Sequence, residues 1–245
     1  MGIHNYHNAI VTGAANGIGA ANVRMLVKAG LNVVSVDKDT DSLGKLKEET
    51  GCEILALDLR KTDQIYTLLE GYECDVLINN AGLAHDLAAG FLGTTPAHVD
   101  EMLSGNLSAA IHIIRALLPR MIEKKSGHII EMGSVASQYA LGLPVYSATK
   151  GAIHSLSRAL RIELNGTKIR HTEICPGRTS TSFFKSAFPN EKARNSFVDQ
   201  IKNLDPEDIA SAMRYALSAP LHVNVSMIEL TPVDQAPGSR VLSKS

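Results

Sequence analysis

Charge of either sign is missing in excess: 24 Lys and Arg stand against 25 Asp and Glu, a formal net charge of -1. Nucleic acid and anionic membrane both require a basic surplus, so neither is expected as the main partner. No apolar run approaches the ~18 residues that would span a bilayer. The N-terminal MGIHNYHNAI lacks the basic-then-apolar layout of a signal peptide. Tyr6 stands where a myristoylation motif on Gly2 needs Ser or Thr, and the terminal Ser243-Lys244-Ser245 only approximates a peroxisomal address. Cysteine is scarce: Cys52, Cys74 and Cys175 form no CxxC pair and leave one over in any pairing scheme. His4 and His7 have no third ligand nearby in sequence, so no metal site is expected. These absences together lead to the expectation of a reduced, cytoplasmic protein.

The chain does have the material for one large core, with 44% hydrophobic and 20% charged residues over 245 positions. Strands are predicted at Ala9–Val11, Asn32–Val36, Glu53–Leu57, Val76–Ile78, His128–Met132, Ile169–Ile174 and Ser226–Leu230. They are largely apolar on both faces, as parallel strands covered by helices must be. Helical spacing runs from Gly19 to a stop at Gly30, and again over about Ala97–Glu123 and Val145–Asn165. No repeat, low-complexity stretch or linker divides the chain. The pattern predicts a single α/β domain over 1–245: a Rossmann-type doubly wound parallel sheet with helices on both faces.

Thr12-Gly13-Ala14-Ala15-Asn16-Gly17-Ile18-Gly19 follows the first strand and opens the first helix. Glycines there let backbone N–H groups approach a pyrophosphate at the positive end of the helix dipole. Asp37 closes the second strand 18 residues after Gly19. A carboxylate at that place accepts hydrogen bonds from ribose hydroxyls and repels a 2′-phosphate, so NAD is expected rather than NADP. Six tyrosines occur, and only Tyr146 has a basic residue four positions on, Lys150. On a helix both side chains leave from one face. Ser134 lies 12 residues upstream of Tyr146, just after a predicted strand, and Asn79-Asn80-Ala81-Gly82 ends another.

With those residues in view, the sequence resembles the classical short-chain dehydrogenases/reductases along nearly its whole length. The resemblance rests on the glycine loop, Asp58-Leu59, Asn79–Gly82, Asn106, Ser134, the Tyr146-x-x-x-Lys150 pair, and Pro176-Gly177-Arg178-Thr179-Ser180-Thr181. Thr179 stands where the family usually has Val or Ile, and the Ser134–Tyr146 interval is one residue shorter than usual. The resemblance implies a dinucleotide-binding half over about 1–130 and a catalytic and substrate half over about 131–245. It implies Tyr146 as the base, with Lys150 lowering its pKa, Ser134 holding the reacting oxygen, and Asn106 holding a relay water. By position it assigns cofactor contacts to Gly13, Asn16, Gly17, Ile18, Gly19, Asp37, Asp58, Leu59, Asn80, Ala81 and Gly82, and also to Tyr146, Lys150, Pro176, Gly177, Thr179 and Thr181. The helices at 97–123 and 145–165 resemble those that pair family members into dimers and tetramers. A homo-oligomer is therefore expected, with Ile111, Ile114, Leu117 and Leu118 as a face for it or as core.

The substrate segment, Phe183 to about Asp205, is short, so a small alcohol or carbonyl compound is expected. The tail from Leu204 to Gln235 resembles the serine and 3-hydroxy acid dehydrogenase branch. Arg178 is accordingly a candidate clamp for an anionic hydroxy acid or a sulfonated alcohol, with an exposed or cofactor-facing arginine as the plain alternative. His85 and Gln138 are candidate substrate contacts. The competing functions are a dinucleotide-binding redox sensor without turnover, dehydration or epimerisation on the same scaffold, and carbonyl reduction with NADPH.

Overall fold

The computed structural model describes residues 3, 6–85, 87, 89–139, 141–188 and 190–236. Seven strands form one sheet: β1 Asn8–Thr12, β2 Asn32–Asp37, β3 Glu53–Ala56, β4 Val76–Asn79, β5 Gly127–Met132, β6 Ile169–Pro176 and β7 Met227–Leu230. Their order is β3-β2-β1-β4-β5-β6-β7, and every pairing is parallel. Side chains alternate across each strand, so Val11, Ile78 and Ile130 enter one buried cluster while Ile10, Leu77 and Ile129 enter another. That double burial is the reason these segments read as continuous apolar runs.

The helices are α1 Gly17–Lys28, α2 Thr40–Thr50, α3 Thr62–Leu69, α4 Gly90–Gly93, α5 Pro96–Leu103, α6 Ala109–Lys124, α7 Pro144–Glu163, α8 Phe183–Ala187, α9 Glu191–Val198 and α10 Pro206–Ser218. Val23 and Leu26 of α1 join Ile209, Met213 and Leu217 of α10 on one face of the sheet. Ile113, Leu117 and Met121 of α6 join Ile65 of α3 and Leu160 of α7 on the other. Each such fully buried side chain contributes roughly 1.5–3 kcal/mol of transfer free energy. Ile114 and Leu117 are thus core residues against the sheet, whereas Ile111 is exposed. The spacing 111, 114, 117, 118 gave no way to separate those two environments. No described helix is long and apolar enough to cross a membrane.

One expectation shifts. The continuous helix predicted over 97–123 is interrupted by a π-helical stretch, Ser104–Ser108, between α5 and α6. The acidic stretch after β2 is already helical from Thr40, because the Asp39 side chain accepts from the Ser42 N–H and caps α2. From β1 the order runs outward to β2 on one side and to β4 on the other, so a crevice opens past the C-terminal ends of β1 and β4.

Candidate active site

Thr12, the last residue of β1, ties the two sides of that crevice together. Its Oγ1 accepts from the backbone N–H groups of Asn80 and Ala81, each at 3.0 Å. Asn80 answers with its Nδ2, donating to the Thr12 carbonyl at 2.9 Å and the Gly13 carbonyl at 3.1 Å. This lacing brings the backbones so close that a Cβ on Gly13 would sit 2.8 Å from the Ala81 Cα. A Cβ on Gly19 would meet the Gly13 carbonyl oxygen at 2.0 Å. The loop is pinned toward β2 by the Ala15 N–H, which donates to Asp37 Oδ2 at 3.1 Å.

Helix α1 starts without a side-chain cap, as does α7. Asn16 at its N-cap is extended, with φ -145 and ψ 167, and makes no side-chain cap bond; the first turn holds no acidic residue. By contrast α2, α5 and α9 are capped by the side chains of Asp39, Thr95 and Asn190. The uncapped N–H groups of α1 keep their partial positive charge for an anion. Asn16, Gly17 and Ile18 line a cleft of about 410 Å³ that runs from Asp37 to Tyr146 and Lys150.

Asp58 and Leu59 do not line that cleft. Leu59 is buried in the sheet-face core, and Asp58 is gripped by Arg60, whose Nη2 lies 2.7 Å from Asp58 Oδ2. The Arg60 guanidinium holds the Asp58 carboxyl down at about 2.

At the other end Pro144 opens α7, and Tyr146 and Lys150 follow one turn apart. Lys150 Nζ donates to the Met132 carbonyl at 2.7 Å and stands 6.0 Å from the Tyr146 ring centroid. Ser134, just past β5, is extended, and its Oγ accepts from the Ala136 N–H at 3.1 Å. Desolvation pushes the Tyr146 phenol up to about 12, and hydrogen bonding to Ser134 pulls it partly back. Burial dominates this phenol, and Lys150 Nζ donates to the Met132 carbonyl. Burial likewise lowers Lys150, to about 8, opposed by the carboxylates of Glu131 and Glu173. Those two acids are register partners on β5 and β6, so they share one face of the sheet.

Asn106 sits inside the π-helical stretch and outside the cleft lining. Its Oδ1 accepts from the Leu83 N–H at 2.7 Å, and its Nδ2 donates to the Leu83 carbonyl at 2.8 Å and to Thr149 Oγ1 at 3.1 Å. It staples the loop after β4 to α7 beside Lys150. A Cβ on Gly82 would sit 3.4 Å from Asn106 Oδ1 and 3.5 Å from Lys150 Nζ, so the three residues crowd one corner.

A tyrosine, a lysine and a serine at one end of a cleft, with an uncapped helix and a carboxylate at the other, invite comparison with known proteins. The family described as short chain dehydrogenase matches residues 7–192. The chain belongs to that family. It is 35% identical to an uncharacterized short-chain type dehydrogenase/reductase, y4eK, of Sinorhizobium fredii, over 99% of this chain and 98% of the relative. It is 34% identical to the NADP-dependent 3-hydroxy acid dehydrogenase YdfG of Escherichia coli K12, over 93% of this chain and 95% of the relative. The closed form of a serine dehydrogenase complexed with NADP+ superimposes with a TM-score of 0.90, at 31% identity, over 97% of this chain and all of that one. This short-chain dehydrogenase thus lies in the serine and 3-hydroxy acid branch.

In the dehydrogenase, the segment after β6 closes the cleft. Pro176, Gly177, Thr179 and Thr181 line it, with Thr181 Cγ2 only 3.0 Å from where a Gly17 Cβ would stand. Gln235, which sequence reading passed over, accepts from the Arg178 N–H at 2.9 Å and leaves no room for a Cβ on Gly177. No spacing rule links it to residues nearly sixty positions away. Arg178 reaches the cleft wall, but its Nη1 donates to the Phe197 carbonyl at 3.0 Å and Gln200 Oε1 at 3.1 Å. Arg178 is therefore buried rather than exposed. His85 and Gln138 do not line the cleft. His85 Nε2 lies 2.9 Å from Glu101 Oε2 and its ring stacks on His98, while Gln138 Nε2 points to Met227 Sδ. His7 is described but His4 is not, so the histidine pair lies partly outside the described residues.

Proposed function

We propose that this short-chain dehydrogenase interconverts a small secondary alcohol and its carbonyl compound, using NAD. The single observation that carries the reading is the sharing of one cleft by Asp37, the uncapped start of α1, Ser134, Tyr146 and Lys150. The residues fit a nicotinamide dinucleotide: a carboxylate for ribose hydroxyls, a helix start for pyrophosphate, and a lysine beside the reacting end. Bound in its oxidised form, the dinucleotide accepts the hydride from the alcohol carbon and brings a positive charge to the phenol.

Tyr146 takes the hydroxyl proton as the carbon–oxygen double bond forms. Ser134 donates to the same oxygen and holds it against Tyr146, which removes the rotational freedom of the reacting group. Lys150 contributes a buried cation one helical turn away, available below about pH 8. Asn106 positions this corner through Leu83 and Thr149 rather than by touching the cleft.

Asp37 is the reason for NAD. Lys150 and Arg178 are the only Lys or Arg lining the cleft among the described residues, and they donate to the Met132 and Phe197 carbonyls at its other end. The NADP dependence of YdfG and the NADP+ bound to the related serine dehydrogenase favour a second reading, with NADP as the cofactor. Initial rates with each dinucleotide at saturating alcohol decide between them. A kcat/KM for NADP above that for NAD overturns the NAD assignment. Absence of any dinucleotide reduction with a broad alcohol panel supports the sensor reading instead.

A further inference from the structure

Aromatic residues are scarce in this chain, 4% in all with no tryptophan, yet four of its five phenylalanines line the cleft. The fifth, Phe91, is on the surface. The cores above and below the sheet are aliphatic, apart from tyrosines at their margins. The concentration is therefore local to the wall beyond Tyr146. The rings form a connected series: Tyr146 to Phe183 at 5.6 Å between centroids, Phe183 to Phe184 at 5.8 Å, and Phe184 to Phe197 at 5.5 Å. Phe184 and Phe188 are buried as the base of this wall, while Phe183 and Phe197 remain partly exposed toward the cleft. Leu141 and Leu143 contribute to the same lining.

An anionic substrate needs a cation at this end. Arg178 is bonded to the Phe197 carbonyl and Gln200, and its guanidinium carbon lies 3.7 Å from the Phe197 ring centroid. Lys150 donates to the Met132 carbonyl. A carboxylate placed here would compete with Phe197 and Gln200 for Arg178 and sit among phenyl rings, where an underpaired buried charge is unfavourable. An aryl or branched alkyl group instead gains edge and face contacts with rings already in place.

We propose that the preferred substrate is an apolar secondary alcohol, with an aryl or comparably bulky hydrocarbon group on the reacting carbon, and the matching ketone. The proposal rests on the dehydrogenase reading above and narrows its substrate. Phe183 is the specificity residue, packed against the catalytic phenol where that group must lie. Arg178 is a positioning residue that holds α9, and with it Phe197, against the cleft.

The test measures initial rates of the full-length protein, with NAD and with NADP, on 1-phenylethanol, 2-heptanol, 3-hydroxybutyrate and serine, and in reverse with acetophenone. The kcat/KM for 1-phenylethanol is expected to exceed that for 3-hydroxybutyrate by roughly tenfold or more, the scale of one hydrophobic pocket contact. Phe183→Ala is expected to reduce that ratio, and saturation-transfer NMR with acetophenone should show ring protons in contact with the wild-type protein and a weaker signal in the variant. Arg178→Ala should raise KM for both substrate classes together. A wild-type preference for 3-hydroxybutyrate or serine, or an Arg178→Ala defect confined to them, overturns the substrate proposal and leaves the dehydrogenase reading standing. No turnover with any of the four alcohols or the ketone overturns both.

Discussion

At the Asp37 end the cleft is walled by backbone and very small side chains, Gly13, Gly17 and Ala81, whereas beyond Tyr146 it is walled by phenylalanine and leucine rings and chains. The first wall is shaped by what cannot be there: a Cβ at Gly19 would overlap the Gly13 carbonyl, and one at Gly13 would press on Ala81. The second is shaped by what fills it. A backbone wall fixes its glycines absolutely and recognises a ligand through N–H groups and one carboxylate. A side-chain wall accepts many sequences and selects by shape and polarity. The comparison predicts that binding of the dinucleotide and choice of substrate separate cleanly under mutation, with the proton-transfer residues at the boundary.

The largest effect belongs to that boundary. Tyr146→Phe keeps the ring against Phe183 but removes the hydroxyl proposed to take the alcohol proton. Loss of a positioned general base corresponds to roughly 10²–10⁴-fold, so kcat should fall by about three orders of magnitude. Dinucleotide affinity, followed by NADH fluorescence, should stay within about threefold of wild type, because the glycine loop is untouched. Comparable loss of affinity and rate would break the division between the two ends. Gly19→Ala is the converse. Its methyl would meet a backbone oxygen rather than a flexible side chain, so the loop itself has to move. Overpacking of this kind typically destabilises by about 1–3 kcal/mol. NADH binding should weaken by roughly tenfold or more, since 1.4 kcal/mol is a factor of ten. A circular-dichroism melt accompanies the titration, so that unfolding is told apart from a displaced loop.

The same contrast explains how much could be read from the sequence. The seven strands and the two-faced parallel sheet were legible because double burial forces unbroken apolar runs, and strand limits moved by only a residue or two, as at Ile169–Pro176. The glycine loop, Asp37, Ser134, Tyr146 and Lys150 were legible because sterics and helical periodicity fix their spacing, and they do line one cleft. Gln235 was not, since it reaches the site by tertiary packing that no local period encodes, while Phe184 and Phe197 fell within the substrate segment without a sign of which rings would face the cleft. Arg178 shows the limit from the other side. Its residue type suggested an anion clamp, but no local period shows that Phe197, nineteen positions away, offers its carbonyl to the guanidinium. The π-helical turn at Asn106 was equally hidden: the apolar spacing of 97–123 reads as one helix, and only the bonds to Leu83 and Thr149 reveal why it is interrupted.

A smaller effect sharpens the Asp37 end. Asp37 Oδ2 accepts from the Ala15 N–H, so simple removal of the side chain would disturb the loop as well as the charge. Asp37→Asn retains an acceptor of the same shape and removes only the carboxylate. The NAD to NADP ratio of kcat/KM should fall by roughly tenfold, the worth of one charge facing a 2′-phosphate. Most of that change should appear as improved use of NADP. An unchanged ratio would mean that specificity is set elsewhere in the cleft.

The smallest effect concerns the layer beneath the catalytic lysine and separates stability from binding at either end. Glu131 lies on β5, facing Lys150 of α7 and Glu173 of β6, and its Oε1 accepts from Asn79 Nδ2 of β4 at 3.0 Å. Burial raises its carboxyl from 4.5 to about 8, with Glu173 adding to the shift and Asn79 and Lys150 opposing it. The folded chain therefore holds a proton that the unfolded chain releases between those two values. The contribution of Glu131 to stability is full below about pH 4.5 and declines as pH rises to about 8. Glu131→Gln keeps the shape and cannot ionise. Its melting temperature relative to wild type should climb between pH 5.5 and pH 8.5 by a few degrees, given ~2–4 °C per kcal/mol for a chain of this size. A constant difference across that range would show that Glu131 is ionised in the folded state, with Lys150 rather than a proton balancing it.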